Sequence, residues 1–274
     1  MKTWVLGSGS RGNAVLVEVD GARVLIDAGF PIRELARRLK SIDAPPTSIE
    51  AVMVTHEHTD HARSAAAGAR AFGWRIYASL RTLEADPELR AAGAIAVRVG
   101  ETLALSTMDL VTVPIPHDAA QPVAVVATAR RSGIRAGVAY DLGHVTDTTC
   151  AGLAELDLLI LEANHDLDML RAGPYPVSVA DRIAGPRGHL SNAAAADLAR
   201  AVVHRGLGRV VLAHLSENCN EPRLAIHAVA TALARTRRGG IPVCAASQHT
   251  VTGPFLAHES LGPAPDPRQL SLDF

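Results

Sequence analysis

The sequence contains few aromatic residues, few cysteines and almost no net charge. Phe, Trp and Tyr make up 3% of its 274 residues, whereas 48% are hydrophobic, so a large core has to be built mainly from Ala, Val, Leu and Ile. This length and composition predict one large α/β domain. The net charge of −1 gives no electrostatic indication of a nucleic-acid partner, which would need a local basic groove.

The cysteines and the hydrophobic runs bear on the cellular compartment. Cys150, Cys219 and Cys244 are odd in number and far apart, which argues against a disulfide framework and is typical of a reducing compartment. The first residues form no apolar signal segment, and no run approaches the ~20 apolar residues of a membrane span. We therefore predict a cytoplasmic protein without a membrane partner. The sequence does not indicate an oligomeric state.

Strand and helix patterns alternate along the chain. Pro31 is placed to begin a helix, an Ala-rich helix is expected from about Ala62 to Phe72, and Ser191 is placed to cap a helix that ends near His204. Both halves mix strands with helices, which predicts two packed mixed sheets with helices outside. We assign residues 1–253 to this domain and residues 254–274, with four prolines, to a C-terminal tail.

A glycine motif near the N-terminus has two interpretations, a dinucleotide-binding loop or a turn between two strands. Gly7 to Gly12 matches the GxGxxG pattern of dinucleotide-binding folds, but that pattern requires a helix directly after it. Here the residues that follow, Ala14 to Val19, alternate like a strand, so we predict a turn between two strands rather than a nucleotide site. A remaining alternative is that backbone N–H groups of this loop, with Ser8 or Ser10, bind an anionic group.

The densest chemical signal is the segment His56-Glu57-His58-Thr59-Asp60-His61, which directly follows an apolar strand. Its histidines and Asp60 are good ligands for a borderline divalent cation, and no packing requirement explains them. A site for two metals needs about seven protein ligands. The others are available at further predicted strand ends, where His117, Asp141 and His214 stand. Taken alone, each of these three residues could be an ordinary surface or turn residue. Beside the dense cluster, they predict a hydrolytic two-metal centre.

These motifs resemble the metallo-β-lactamase superfamily, through the THxHxDH motif at Thr55 to His61 and the Asp27-Ala28-Gly29 that precedes it. Further stretches are similar to its YycJ/WalJ-like branch, whose members are described as metal-dependent exonucleases or phosphodiesterases. The resemblance covers the chain to about residue 250 and implies a four-layer αβ/βα sandwich. The stretches are SGSRGNAVLVEVDGARVLIDAG, THEHTDH, HDAAQP, YDLGHVTD, LEANHD, GHLSN and LAHLSENCN.

The resemblance also implies roles for individual residues. One metal would be held by His56, His58 and His117, and the other by Asp60, His61 and His214, with Asp141 bridging both and Asp27 orienting the cluster. His189, in the Gly188-His189-Leu190-Ser191-Asn192 stretch, would contact phosphate or protonate the leaving oxygen. Ser191 and Asn192 at a helix start would suit a phosphate, and His165 and Ser8 are further candidates for substrate contact.

The expected function is therefore a binuclear phosphodiester hydrolase, in which a hydroxide between two divalent ions attacks phosphorus, with Asp60 and His189 as catalytic residues. Zinc is the expected metal, with manganese or iron as alternatives. The resemblance favours a DNA exonuclease that digests 5′ to 3′. A small-molecule phosphodiesterase, or a thioesterase, lactonase or β-lactamase acting on a carbonyl, would use the same ligands.

Overall fold

The computed structural model describes residues 1–257, and residues 258–274 of the predicted C-terminal tail lie outside the described part. The described chain contains two mixed sheets of seven strands each. The first sheet has the strand order β14-β1-β2-β3-β4-β5-β6, in which β3 to β6 run parallel. Its strands are β1 (Lys2–Gly7), β2 (Ala14–Val19), β3 (Ala22–Ile26), β4 (Ile49–Val54), β5 (Arg75–Ser79), β6 (Ile95–Val97) and β14 (Thr252–Leu256).

The second sheet has the order β13-β12-β11-β10-β9-β8-β7, in which β10 to β13 run parallel. Each sheet thus joins a parallel half to an antiparallel half. The strands of the second sheet are β7 (Thr102–Ala104), β8 (Met108–Pro114), β9 (Val123–Ala129), β10 (Arg135–Ala139), β11 (Leu158–Glu162), β12 (Arg209–Ala213) and β13 (Val243–Ala245).

Ten α-helices flank the sheets in the described residues, and none is long and apolar enough to cross a membrane. Five follow the strands of the first sheet and five those of the second. They are α1 (Ile32–Lys40), α2 (Thr59–Ala62), α3 (Ala65–Phe72), α4 (Leu80–Ala85), α5 (Pro87–Ala91), α6 (Asp147–Gly152), α7 (Leu167–Ala172), α8 (Val177–Ile183), α9 (Asn192–Val202) and α10 (Pro222–Ala234).

The layering follows from the alternation of side chains along the strands. In β2, Val15, Val17 and Val19 point into a core between the two sheets, while Leu16 points outward to a second core. That outer core receives α1, α3, α4 and α5, and a third core packs α9 and α10 on the outer face of the second sheet. The predicted four-layer αβ/βα sandwich is confirmed.

Three local predictions need correction. The helix expected from Ala62 to Phe72 is two helices, because the chain breaks at Arg63 and Ser64, and the first of them already begins at Thr59. The short helices α4, α5, α7 and α8 were not predicted, because each has too few periodic apolar positions to give a helical pattern in the sequence. A fourteenth strand follows β13 and pairs with β1 at the edge of the first sheet. It spans residue 253, where we placed the domain boundary.

Candidate metal centre

The chemically active side chains lie where the carboxyl ends of the strands of both sheets meet. Asp27 directly follows β3, Asp141 follows β10 after one residue, and His214 directly follows β12. All three adopt a left-handed backbone, with φ of 63°, 57° and 53°. This conformation costs a residue with a side chain about 1 kcal/mol or more, so it persists only where the surroundings enforce it. Three of the six non-glycine residues with positive φ in the described chain therefore converge at this one edge.

The structure brings all seven predicted ligands together. The ligand atoms of His56, His58 and His117 lie within 4.8 Å of one another, and those of Asp60, His61 and His214 form a second such group. Asp141 lies between the groups. Its Oδ2 is 2.6 Å from Nε2 of His61 and 3.6 Å from Nε2 of His56, and its Oδ1 is 3.1 Å from Nδ1 of His214. The positions therefore agree with the predicted ligand sets.

The residues also fit divalent cations chemically. Nε2 of His56, Nε2 of His214 and Oδ2 of Asp141 are buried and have no hydrogen-bond partner in the described residues. The 2.6 Å contact between His61 and Asp141 has the distance but not the geometry of a hydrogen bond, as expected for two atoms directed at a common point. Each buried unpaired polar atom costs about 1–3 kcal/mol, a cost that a shared cation would remove. The imidazole and carboxylate donors suit a borderline metal.

Asp27 lies behind His61, a member of the second group of predicted ligands. Its Oδ2 is 2.6 Å from Nδ1 of His61 and accepts hydrogen bonds from the hydroxyls of Thr55 and Tyr140, both at 2.8 Å. Its Oδ1 accepts the Thr55 N–H at 2.7 Å. Burial lowers the pKa of His61, but the carboxylates of Asp141 and Asp27 outweigh burial and raise that pKa well above its usual value. The His61 ring is thereby fixed with Nε2 toward Asp141.

Glu162 is a residue of this site whose role the sequence pattern does not indicate. It is fully buried, and its Oε1 lies 2.7 Å from Nδ1 of His189 and 3.1 Å from Nδ1 of His214. Its Oε2 accepts the N–H groups of Leu142 and Leu190. Burial raises the pKa of Glu162, but the neighbouring His189 and His214 lower it to about 2. The available signal was a charged residue at the end of the apolar strand β11.

His189 faces the cleft in front of the cluster. Its side chain is 22% exposed, and the cleft, of about 210 Å³, is also lined by His58, His117 and Asp141. Burial lowers the pKa of His189, but Glu162 and Asp141 raise it well above the usual value for histidine. Nδ1 is bound to Glu162, and Nε2 has no hydrogen-bond partner in the described chain. The contact with Glu162 thus orients the His189 ring at the cleft.

Sequence comparison places the chain among known proteins. Residues 7–133 match the metallo-beta-lactamase superfamily. The chain is 30% identical over 235 residues to exodeoxyribonuclease YycJ of Bacillus anthracis, which covers 84% of this chain and 88% of that protein. The chain belongs to the metallo-β-lactamase superfamily, in its YycJ/WalJ-like branch. It is also 28% identical over 241 residues to exodeoxyribonuclease WalJ of Streptococcus pneumoniae, covering 86% of this chain and 89% of that protein.

The fold of a solved metallo-β-lactamase protein agrees with this assignment. YhfI from Bacillus subtilis superposes with a TM-score of 0.69 at 18% identity, covering 92% of this chain and 98% of that one. At this identity the likeness shows the fold alone. Membership of the superfamily, together with the clustered histidines and carboxylates, makes the chain a metal-dependent hydrolase with residues positioned for metal binding.

Three predicted substrate contacts in this metallo-β-lactamase protein do not line the cleft. Ser191 caps α9 by accepting the Ala194 N–H at 3.2 Å. The Asn192 side chain is 4% exposed and exchanges two hydrogen bonds with that of Asn220. The Asn192 N–H bonds to the carbonyl of His165, whose own ring is 1% exposed. The turn that presents His189 to the metals therefore directs the following residues inward, so this helix start is not open to a phosphate.

Ser8 also lies behind the site rather than in the cleft. Its hydroxyl accepts the His214 N–H at 2.9 Å and donates to Oδ1 of Asn13 at 2.8 Å, and the residue is 3% exposed. The Asn13 amide in turn reaches Oδ2 of Asp60 at 3.3 Å. The exposed residue of the glycine loop that lines the cleft is Ser10. As predicted, the loop connects two strands and is not followed by a helix.

Proposed function

We propose that this metallo-β-lactamase protein is a phosphodiester hydrolase with two divalent cations, and that its substrate is DNA digested from the 5′ end. The observation that carries the proposal is His189, which Glu162 holds beside the seven clustered ligands at the mouth of the cleft. Phosphodiester cleavage needs both charge stabilisation at the phosphoryl oxygens and a proton for the leaving oxygen. The names of the YycJ and WalJ relatives supply DNA as the substrate.

The chain's own residues divide these tasks. His56, His58 and His117 would hold one cation, Asp60, His61 and His214 the other, and Asp141 would touch both. Bound there, the cations would supply Lewis acidity and bring the pKa of water down toward about 7. The imidazole-rich donor set suits zinc, with manganese or iron as alternatives. Asp60 stays an anion at neutral pH, since His214 and His61 outweigh burial and hold its pKa well below its usual value.

His189 would act on the substrate itself. Glu162 and Asp141 favour the charged form of His189 and raise its pKa, and Nδ1 is committed to Oε1 of Glu162. The proton available for the leaving oxygen is therefore the one on Nε2. The same charge would stabilise the phosphoryl oxygens as negative charge develops. Glu162 keeps the ring in one orientation, so proton transfer does not require a rotation.

A second candidate is a small-molecule phosphodiesterase. The cleft over the ligands has a volume of only about 210 Å³. The described residues form the two sheets and their flanking helices, and they contain no inserted domain that could clamp a polymer. A cyclic or nucleotide-like diester would fit such a cleft. The three cysteines are free, which supports the cytoplasmic location that either substrate class would need.

The deciding experiment compares substrates with one preparation. Metal-loaded protein is incubated with single- and double-stranded DNA labelled at either end, and separately with bis(p-nitrophenyl) phosphate. We expect stepwise shortening from the 5′ end, complete inhibition by a chelator, and steep weakening of DNA binding with salt. Hydrolysis of the chromogenic diester without any DNA cleavage would favour the second candidate. Turnover of a thioester, lactone or β-lactam but of no phosphodiester would overturn both. Elemental analysis of protein purified without added metal identifies the native ion.

A further inference from the structure

A second cavity, of about 600 Å³, adjoins the metal cleft. The two share Ser10 and Asp60, so the carboxylate that faces the metals on one side borders this cavity on the other. No role has been assigned to it so far. Its lining consists of Ser10, Arg11, Phe30, Pro31, Arg38, Thr59, Asp60, Arg63, Gln248 and His249, and we call it the arginine cavity.

The lining carries three guanidinium groups, two of which are paired with carboxylates outside it. It presents the guanidinium groups of Arg11, Arg38 and Arg63 against the single carboxylate of Asp60. Arg63 is exposed and has no carboxylate within salt-bridge distance among the described residues. Arg11 and Arg38 have partners outside the lining. Arg11 lies 2.9 Å from Glu217, and Arg38 lies 2.7 Å from Glu34.

Arg38 forms the floor of the arginine cavity. It is 7% exposed, its guanidinium lies 4.1 Å from the centre of the Phe30 ring, and Nη1 donates to the carbonyl of Leu6 at 2.5 Å. These contacts fix the floor, whereas Arg63 at the rim has no carboxylate partner in the described chain and Arg11 shares its charge with Glu217. A guanidinium presents a planar pair of donors that matches two oxygens of a phosphate. The cavity therefore offers a phosphate site with a rigid base.

The glycine loop places Arg11 at this rim. Oε1 of Gln248 accepts the Arg11 N–H at 2.9 Å, and a Cβ on Gly9, which has φ of 152°, would lie 2.5 Å from that same oxygen. The N–H groups of Ser8, Gly9 and Gly12 are all bonded within the protein. Among the loop residues Ser8 to Gly12, only the Ser10 N–H has no partner in the described chain, so the loop offers an anion a single backbone donor. Its glycines allow the close approach to Gln248 that positions Ser10 and Arg11 between the two cavities.

We propose that the arginine cavity binds the non-scissile phosphodiester next to the bond that is cut, on a single nucleic-acid strand. This inference rests on the proposed function and adds a subsite to it. A strand with one phosphate over the metals passes Ser10 and Asp60 and brings its next phosphate to Arg63 and Arg11. For digestion from the 5′ end, this phosphate lies on the 3′ side of the cleaved bond. The subsite would supply the grip on a polymer that an inserted domain supplies elsewhere.

The test separates binding of a strand from cleavage. The variants are Arg63→Gln, Arg11→Gln and Arg63→Lys, and the matched control is Arg90→Gln, an exposed arginine on α5 that lines neither cavity. Binding is measured by fluorescence anisotropy with a short, labelled single strand that carries phosphorothioate linkages. Turnover is measured on the same strand with ordinary linkages and on bis(p-nitrophenyl) phosphate.

We expect Arg63→Gln to weaken strand binding about tenfold and to lower the slope of log Kd against log salt by about 0.7, the value for one lost phosphate contact on a single strand. Arg11→Gln should have a smaller effect, because Glu217 already shares its charge. Arg63→Lys should retain part of the affinity. The ratio of kcat/KM on the strand to kcat/KM on the small diester should fall about tenfold in Arg63→Gln.

Two kinds of failure are distinguishable. Strand affinity and turnover ratio in Arg63→Gln equal to those in Arg90→Gln would overturn the subsite, even if the wild-type protein cuts DNA. A wild-type protein that binds the strand but never cuts it would refute the proposed nuclease function. The effect of Arg63→Gln on binding would still decide the inference in that case.

Discussion

The two halves of the metal centre are built in different ways. The half on the first sheet takes four candidate ligands from one short segment, His56 to His61, which begins two residues after β4 and extends into α2. The half on the second sheet takes one ligand from each of three separate places, His117 after β8, Asp141 after β10 and His214 after β12. The first half is therefore encoded locally, whereas the second exists only once three strands have packed.

A single buried carboxylate supports each half, but the two carboxylates have different partners. Asp27 contacts His61 of the ligand segment and Thr55 directly before it, and it also accepts from Tyr140 of the second sheet. Glu162 contacts one predicted ligand, His214, and also His189, which is not in the ligand set. Under the proposed function, the first half would hold metal, while the second would also orient His189, the group that meets the substrate. Mutations should separate these functions.

The largest effect is expected where the halves meet, at Asp141. Asp141→Ala removes the carboxylate that lies within 3.6 Å of His56, His61 and His214. We expect loss of bound metal and a fall in activity of at least about 1000-fold, since the Lewis acid is lost with it. Elemental analysis and turnover on a chromogenic diester measure the two quantities. The control is Asp109→Ala, an aspartate that pairs with Arg130 away from the site. A fully loaded, active Asp141→Ala protein would refute the bridging position.

The next largest effect tests the second half alone. His189→Ala should lower kcat by about 100-fold, the usual contribution of a general acid, while metal content stays at the wild-type level. The reason is that His189 contacts Asp141 and Glu162 but belongs to neither predicted ligand triad. His227→Ala, at an exposed position on α10, is the control. Parallel loss of metal and activity would show that His189 is part of the metal scaffold.

The same contrast explains how much of the molecule could be predicted from the sequence. The locally encoded half was visible as the HxHxDH motif, and the isolated ligands were visible because each follows an apolar strand. The mixture of strands and helices in both halves predicted two packed mixed sheets, and the family resemblance implied the four-layer sandwich. These features depend on the periodicity of apolar residues and on residues adjacent in sequence, both of which are visible in the sequence itself.

The substrate side of the site was predicted less well, for a physical reason. Ser191, Asn192 and His165 stand beside chemistry-bearing residues in sequence, but Ser191 caps α9, and Asn192 and His165 are buried away from the cleft. Which way a loop side chain points is decided by packing against distant residues, here Asn220. The role of Glu162 was not predicted, because its partners His189 and His214 lie 27 and 52 positions away in the sequence. Long-range contacts of this kind leave no periodic pattern.

A smaller effect separates the two supporting carboxylates. Asp27→Asn should lower metal affinity by about 10- to 100-fold, as loss of an orienting carboxylate behind a ligating histidine usually does. Glu162→Gln should lower kcat per bound metal more than it lowers metal affinity, because only His214 among its two histidine partners is a predicted ligand. Competition with a chelator gives the affinities, and turnover at saturating metal gives kcat.

The outcome of this pair sharpens the division between the halves. If Glu162→Gln lost metal as readily as Asp27→Asn, with an unaltered kcat for the loaded fraction, Glu162 would be a metal-supporting residue only. Glu50→Gln is a matched control for both, since this glutamate pairs with Arg75 at the surface. A deficit in Glu50→Gln would point to a general loss of stability instead.

The smallest effect concerns a hydrogen bond that joins the halves directly. Tyr140 follows β10 of the second sheet, is 1% exposed, and donates to Oδ2 of Asp27, which follows β3 of the first sheet, at 2.8 Å. Tyr140→Phe should lower the free energy of unfolding by about 1 kcal/mol, the net value of one such bond. Thermal unfolding should then show a decrease in Tm of about 2–4 °C. Metal affinity should fall only slightly, because Oδ2 keeps His61 and Thr55 as partners.

The appropriate control for Tyr140→Phe is Tyr77→Phe. Tyr77 is 6% exposed and belongs to the same core between the sheets, but its hydroxyl makes no hydrogen bond to another described residue. If both variants were as stable as the wild type, the carboxylate of Asp27 would not need the second sheet. The two halves would then be joined at the site by Asp141 and the cations alone, and metal removal should loosen the contact between the sheets. We expect instead that the hydrogen bond from Tyr140 to Asp27 keeps the two halves in contact in the metal-free protein.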